Sequence, residues 1–169
     1  MDSSNNYCVG DQIQIGKYTA TCQKVTDNTV IFMFDDLLDK TYQMNHTATN
    51  EGGYESSDLR TILNEDCKND PEFNDIYPNL IAFDNGDCIR IATVGEIFGN
   101  NDFFVMDDAE QWELMKIPPV EEETIGWAWL QNNVLKSRAS FAIFSLNRNP
   151  GGNTATAYFG VRPVIQLAK

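Results

Sequence analysis

Apolar and polar residues alternate near the start of the chain, which is the pattern of a strand with one buried face. Within residues 10–25, Ile13 and Ile15 lie on one side of such a strand. Residues 26–29 (TDNT) favour a turn, and the dense apolar run 30–38 that follows is typical of a central strand. The pattern therefore predicts a β-hairpin at the beginning of the fold.

Helical spacing replaces this alternation in the middle of the chain. The apolar residues that recur at this spacing are Leu59, Ile62, Leu63 and Cys67. Either Ser56 or Ser57 can cap the start of the helix, and Asp58 lies favourably in its first turn. We therefore predict a helix over residues 57–67.

Two shorter helices are indicated by capping patterns. Thr93 and Glu96 have the spacing of a capping box. Asp108 and Gln111 repeat this spacing before a segment that Pro118-Pro119 would end. The sequence thus predicts two or three helices in the central part of the chain.

The last third returns to short β-like segments joined by Asn- and Gly-rich stretches. The predicted strands are 126–130, 140–146 and 156–167. We interpret residues 147–153 (NRNPGGN) as a loop between two of them. Trp127 and Trp129 are two apart and would share a face of a strand, so we expect both, with Trp112, in the core.

This order of elements predicts an α+β fold, because the strands lie at both ends and the helices between them. The 169 residues are 42% hydrophobic, which suffices for one sizeable core. We expect residues 1–169 to form a single domain in which the N-terminal and C-terminal strands pair.

The charge is distributed unevenly. The formal net charge is −13, yet residues 124–169 contain no acidic residue and carry +5, so the preceding residues carry −18. No run of three basic residues occurs, which argues against nucleic acid as a partner. We interpret the imbalance as complementarity within the domain, with Arg162 in a structural ion pair to an acid, for which we choose Asp58.

Composition also limits location and cofactors. No apolar run approaches the ~20 residues needed to cross a bilayer, and the first 11 residues lack a secretion signal, so we expect a soluble protein without membrane insertion. The four cysteines are scattered and only one histidine is present, which predicts reduced, mostly buried thiols and no zinc site. We predict no metal and no cofactor, while structural calcium remains an alternative that chelation would test.

Catalytic chemistry has little support in the sequence. A hydrolase needs a nucleophile with a positioned base, and the single histidine, His46, lies in a polar loop with no Gly-x-Ser-x-Gly motif anywhere. We therefore predict that the chain is not an enzyme.

Residues 131–159 have the composition of a recognition surface. They combine Asn, Ser, Thr, Gly, Arg, Phe and Tyr without acids or histidine, and such residues provide hydrogen bonds and contact area. An ordinary polar loop has the same composition, so composition leaves both interpretations open.

Several motifs occur in a fixed order along nearly the whole chain: Tyr-x-x-Ser-Asp-Leu-Arg-x-x-Leu-Asn from Tyr54, Trp-x-Trp-Leu-x-Asn-x-Val from Trp127, and Gly-Val-Arg-Pro from Gly160. Together they resemble an uncharacterised domain family of gut Firmicutes and their prophages. That family is similar to the C-type-lectin-like fold of formylglycine-generating-enzyme relatives and of variable proteins of diversity-generating retroelements.

The resemblance implies a C-type-lectin-like fold in which residues 160–163 belong to the scaffold and residues before them are displayed. The implied ligand-binding residues are Gln131, Asn133, Ile143, Ser145, Asn147, Arg148, Asn149, Asn153, Thr156 and Tyr158. The oxidase activity of the formylglycine-generating enzymes is not implied, because no cysteine follows Cys88.

These observations predict a non-enzymatic module that binds a protein or glycan ligand on a cell surface. It would belong to a phage tail or an adhesin, and it would be associated with a virion or present in the host cytoplasm before assembly. One such protein would be a variable protein that is diversified by a retroelement. The alternatives are a structural virion or assembly subunit and a degenerate enzyme that uses His46 or a thiol. The oligomeric state stays open.

Overall fold

The computed structural model of the chain describes residues 6–99, 101–119 and 126–169. Within these ranges the strands are β1 (Gln12–Ile15), β2 (Tyr18–Val25), β3 (Thr29–Phe34), β4 (Trp127–Asn133), β5 (Ser140–Ser145), β6 (Pro150–Thr154) and β7 (Val164–Ala168). The α-helices are α1 (Asp58–Asn69) and α2 (Val94–Phe98). Short 3-10 turns lie at Tyr54–Ser56, Pro71–Phe73, Tyr77–Asn79 and Glu113–Lys116. The protein is therefore mixed α and β, as the sequence predicts, and it is mostly sheet with two α-helices among the described residues.

The N-terminal and C-terminal strands pair, which confirms that prediction. The first sheet has the order β1-β2-β3-β7, and each neighbouring pair is antiparallel. The run Val30–Phe34 is fully buried because β3 is central and both of its faces are covered. Its alternate residues contribute to two hydrophobic clusters, one on each side of the sheet.

Residues 10–25 form two strands, not the single strand that the alternation suggests. A two-residue turn at Gly16-Lys17 separates β1 from β2, and Ile15 pairs with Tyr18. Gly16 has φ +56°, and a Cβ there would lie 2.0 Å from Oε2 of Glu72. The turn thus requires glycine for its conformation and for the close approach of the chain near Glu72.

Two of the three helices for which the sequence indicates a cap are present where it predicts them. Ser57 caps α1 by accepting a hydrogen bond from the backbone N–H of Arg60, at 3.2 Å. Thr93 and Glu96 form the capping box of α2. Leu59, Leu63 and Cys67 form the buried face of α1, and Ile62 of the predicted apolar stripe is 40% exposed.

Two sequence predictions about local structure are wrong. The segment after Asp108 forms only the short 3-10 turn Glu113–Lys116, whose N-cap is Trp112. Residues 147–153 include most of a strand, β6, because Gly151 and Gly152 allow large side chains to pack closely. A Cβ at Gly151 would lie 3.1 Å from the Trp127 ring, and one at Gly152 would lie 2.6 Å from Val134.

The second sheet, β4-β5-β6, is antiparallel, and its central strand β5 is buried on both faces, whereas β6 is largely exposed. Phe141 and Ile143 belong to one hydrophobic cluster, while Ala142 and Phe144 belong to the other. Trp129 and Trp112 are buried as predicted, but Trp127 is 36% exposed. Trp127 lies at the start of β4, where only part of its ring is covered.

Arg162 is structural, but its predicted partner is wrong. Its Nε donates a hydrogen bond to the backbone oxygen of Phe34 at 2.8 Å, and its guanidinium lies 5.4 Å from the centre of the Phe144 ring. Burial lowers the pKa of Arg162, and the negative charges of Asp35 and Asp36 oppose this effect. Asp58 instead lies 2.5 Å from Nδ1 of His46.

A helix long and apolar enough to span a bilayer does not occur among the described residues. Residues 1–5, on which the prediction about a secretion signal partly rests, lie outside the described ranges.

Candidate functional site

A cleft beside β4 brings together two of the predicted ligand-binding residues, Gln131 and Asn133. Its volume is about 260 Å³. The lining residues lie in the segments 52–55, 105–107 and 131–133 and at Thr93. Four distant parts of the chain thus meet at one surface.

The loop that forms one wall is fixed to the second sheet by Asn50. The buried Asn50 donates from Nδ2 to the backbone oxygens of Ser137 and Ser140, each at 3.0 Å. In return, Nδ2 of Asn133 donates to the backbone oxygen of Asn50 at 3.0 Å. Gly53 follows with φ +64° and ψ −159°, a conformation that is essentially limited to glycine. The wall is therefore held in place from the strand side.

The opposite wall is an irregular segment that pairs with the end of β4. The N–H of Val105 donates to the backbone oxygen of Asn133 at 2.9 Å, and Nδ2 of Asn132 donates to the backbone oxygen of Val105 at 2.8 Å. Val105 and Met106 are 45% and 56% exposed, so they give this wall an apolar surface.

Asp107 joins this wall to helix α2. Its carboxylate accepts hydrogen bonds from the side chains of Thr93 and Asn132 and from the backbone N–H groups of Gly95 and Ala109, at 2.8–3.0 Å. Burial alone would raise the pKa of Asp107, but these hydrogen bonds together lower it below its usual value. The group is therefore a permanent negative charge at neutral pH.

Two polar atoms of residues in the cleft lack hydrogen-bond partners. Of the three solvent-shielded side-chain atoms without a partner among the described residues, two are the hydroxyl of Tyr54 and Oδ1 of Asn133. Tyr54 is 4% exposed, and burial raises the pKa of its phenol, so the hydroxyl stays protonated. The nearby backbone N–H of Ile91 opposes this rise in pKa, although it does not meet the geometry of a full hydrogen bond to the hydroxyl. Native proteins leave few buried polar groups unpaired, so both atoms call for an explanation.

A second cleft, of about 390 Å³, meets the first at Thr93 and Gln131, which line both. It contains the ion pair of Arg90 with Glu96, in which two hydrogen bonds of 2.8 Å join the guanidinium to the carboxylate. Arg90 also lies 4.5 Å from the centre of the Phe83 ring. Its charge is therefore already paired within the protein.

Two of the predicted ligand-binding residues cannot be displayed. Ile143 and Ser145 are 5% and 6% exposed, so the prediction is wrong for both. Ile143 packs in the core because the central strand β5 is covered on both faces. Oγ of Ser145 accepts a hydrogen bond from the N–H of Asn149 at 2.9 Å.

The other predicted residues lie outside the cleft. Arg148 donates to the backbone oxygens of Met115 and Ile117 at 2.9 and 2.6 Å, which indicates a structural role. Asn149, Asn153 and Tyr158 are exposed, whereas Asn147 and Thr156 are half-buried. A ligand-binding role for these residues stays a prediction.

The groups required by the enzymatic alternative do not meet among the described residues. The imidazole of His46 is largely exposed and lies beside Asp58, without a hydrogen bond to any described serine or cysteine side chain. Burial raises the pKa of Cys22 to about 11 and also raises that of Cys67. These thiols are consequently protonated at neutral pH. No cluster of three metal-ligating side chains occurs in the described part of the chain.

Sequence reasoning missed most of the cleft. Gly52-Gly53 signals a tight turn, and Tyr54 belongs to one of the ordered motifs, but neither indicates which strand the loop approaches. Asp107 has no local signal, because its partners Thr93 and Asn132 are far away along the chain.

No protein-family model matches the chain, and neither a curated protein nor a solved structure matches it. The sequence and the cleft therefore carry the functional interpretation.

Proposed function

We propose that the chain is a non-enzymatic ligand-binding domain whose site is the cleft between Gly52–Glu55 and Val105–Asp107. The observation that carries the proposal is the pair of unpartnered atoms, the Tyr54 hydroxyl and Asn133 Oδ1. A buried polar group without a partner costs about 1–3 kcal/mol, and a ligand that bonds to such an atom would recover this free energy. Both residues are fixed by packing or hydrogen bonds, so the site is preorganised.

The fold family and the biological setting of the domain are part of the same proposal. A C-type-lectin-like fold is supported by the pairing of β3 with β7 and by the structural role of Arg162 in the closing Gly-Val-Arg-Pro segment. On this basis the domain acts in a phage tail or on a cell surface, with a protein or glycan ligand there. Retroelement diversification would be tested by searching the neighbouring DNA for a near-duplicate of codons 129 to 159 beside a reverse transcriptase.

Screening the purified chain on glycan and protein arrays, followed by affinity measurements on variants, tests the binding function. Met106→Ala shortens an exposed wall of the cleft and should weaken binding several-fold. Ile117→Ala is the matched control, because Ile117 is similarly exposed at 58% but lies outside the cleft. Loss of binding in Tyr158→Ala with full binding in Met106→Ala would place the site on the surface predicted from composition instead.

A further inference from the structure

Most sheet edges in the described part of the chain are covered by the chain itself. Irregular segments make backbone hydrogen bonds of 2.8–3.1 Å to the outer sides of β7 and β4. The residues that cover them are Ile81 and Arg90 on β7, and Ala92, Val105 and Gly160 on β4. Another strand therefore cannot pair with β7 or β4 along these stretches.

Strand β6 is also a poor edge for pairing. Pro150 has no backbone N–H, and the N–H of Thr154 donates to Oδ1 of Asn153 at 2.8 Å. The backbone oxygen of Thr154 accepts a hydrogen bond from the N–H of Ala157 at 3.0 Å. Because bonding to β5 alternates along the ladder, this leaves Gly152 as the one residue of β6 with both outward backbone groups open.

The outer side of β1 is different, because none of the described segments covers it. The N–H of Cys22 donates to the backbone oxygen of Asp11 at 2.7 Å, so bonding to β2 continues from there at every second residue of β1. The N–H and C=O groups of Gln12 and Gln14 therefore point away from β2. No hydrogen bond from a described residue outside the sheet reaches these groups, and both residues are exposed.

The sequence of this edge is its own antiparallel complement. Residues 12–14 are Gln-Ile-Gln, which is the same in both directions. In an antiparallel pair about a twofold axis at Ile13, Gln12 of each copy lies opposite Gln14 of the other. The two Ile13 residues then form a non-hydrogen-bonded pair with Cα atoms about 4.5 Å apart. Natural sheet edges are commonly protected by proline or charged residues, and residues 12–15 contain neither.

We propose that the outer edge of β1 pairs with β1 of a second copy of this chain, which joins two four-stranded sheets into one continuous sheet. A second copy fits because its own Gln12 and Gln14 supply a hydrogen-bond partner for every open N–H and C=O group of these residues. This interface goes beyond the proposed ligand binding, since β1 does not line the cleft beside β4. Each copy carries a net charge of −13, so salt should strengthen the pairing by screening the repulsion.

Hydrogen exchange of the unmodified full chain, followed by amide NMR at two concentrations, provides the test. The contact is small beside the roughly 1,200–2,000 Å² of stable interfaces, so the dimer should form near about 1 mM and dissociate near about 0.02 mM. We expect the N–H groups of Gln12 and Gln14 to exchange at least about fivefold more slowly at the higher concentration. The N–H of Gly152 is the control and should exchange equally at both. Equal exchange of Gln12 and Gln14 at both concentrations would overturn the inference, as would sedimentation as a monomer throughout.

Cysteine cross-linking tests the register of the pair. In a Cys8→Ser background, which removes the exposed thiol, Ile13→Cys should form a disulfide-linked dimer as oxidised glutathione accepts the two electrons. The reason is that directly opposite Cβ atoms lie within reach of a disulfide. Gln14→Cys should cross-link at least about tenfold more slowly, because residue 14 then lies opposite residue 12 of the other copy. Faster cross-linking of Gln14→Cys than of Ile13→Cys would contradict the pairing about Ile13.

A proline variant removes one of the open groups. Gln14→Pro deletes an N–H that has no partner within the chain, so it should abolish the dimer and keep the fold. Gln14→Ala retains the N–H and should dimerise as the unmodified chain does. Dimers that persist in folded Gln14→Pro would rule out the β1 interface, and if Gln14→Pro does not fold, the exchange and cross-linking results decide. Ligand binding at the cleft should be the same in Gln14→Ala, so either proposal can fail without the other.

Discussion

Asn133 and Asn50 join the cleft beside β4 to the second sheet. Nδ2 of Asn133 donates to the backbone oxygen of Asn50 at 3.0 Å, and the N–H of Gly53 donates to the same oxygen, also at 3.0 Å. One buried carbonyl group thereby positions both the strand side and the loop side of the cleft. The geometry of the site consequently depends on a residue that does not line it.

Asn50→Ala should disrupt ligand binding without removing a ligand contact. The substitution deletes the two hydrogen bonds from Asn50 to the backbone oxygens of Ser137 and Ser140, so we expect a loss of about 1–3 kcal/mol in the free energy of unfolding. The oxygen of Ser140 keeps the hydrogen bond that it accepts from the N–H of Val134. Urea denaturation and affinity measurements check this. The control Asn153→Ala, at an exposed site, should change the free energy of unfolding by less than about 0.5 kcal/mol. An equal effect of both variants would contradict the role of Asn50 in holding the loop against the second sheet.

Arg162→Ala should lower the free energy of unfolding by about 1–3 kcal/mol. The loss follows because a charged hydrogen bond to Phe34 and the contact with the Phe144 ring disappear together. Arg162→Lys should not restore stability fully, since an ammonium cannot reproduce the planar stacking. A change under about 0.5 kcal/mol in urea denaturation would show that the residue is unimportant for the scaffold.

Tyr54 and Tyr42 should respond oppositely to loss of the hydroxyl group. Tyr42 donates to Oδ2 of Asp66 at 2.8 Å, so Tyr42→Phe should destabilise the protein by about 1–2 kcal/mol. Tyr54→Phe removes an unpartnered hydroxyl and should leave the ligand-free protein unchanged or more stable. Thermal unfolding measures both, and clear destabilisation by Tyr54→Phe would reveal a partner for that hydroxyl.

Asp107 should make stability depend on pH in the acid range. Its pKa is lower in the folded than in the unfolded protein, so its contribution is complete above about pH 4 and is lost as the pH falls through the folded value. We expect Asp107→Asn to be less stable than the unmodified chain by about 1–3 kcal/mol at pH 7. The difference should shrink toward pH 2. If the difference in the free energy of unfolding between the two proteins stayed the same at all pH values, this role of Asp107 would be contradicted.

Local signals in the sequence predicted the capped helices and the hairpin at Thr26–Thr29, because their determinants lie within a few residues of one another. Ser57 and the Thr93-Glu96 pair are examples. Strand β6 could not be predicted, because Gly151 and Gly152 are needed for close packing against Trp127 and Val134, and these contacts exist only in the folded protein.

The site was hard to predict mainly because its residues contact partners that lie far away along the sequence. The charge imbalance suggested Asp58 as the acidic partner of Arg162, but Asp58 pairs with His46. Arg162 instead bonds to a carbonyl group and lies beside an aromatic ring, and the acidic charges that act on it are those of Asp35 and Asp36. The composition of residues 131–159 indicated recognition chemistry, but it could not show that Ile143 faces the core. Of the ten predicted ligand-binding residues, all of which the structure describes, two line the cleft, Gln131 and Asn133.

The most direct measurement is amide NMR mapping of the full chain during titration with the array-selected ligand. If the cleft is the binding site, the largest shift changes will fall on Gly53, Met106 and the Asn133 side chain, with saturation at one common affinity. Largest changes at Asn149, Tyr158 or His46, with the cleft signals unmoved, would contradict it.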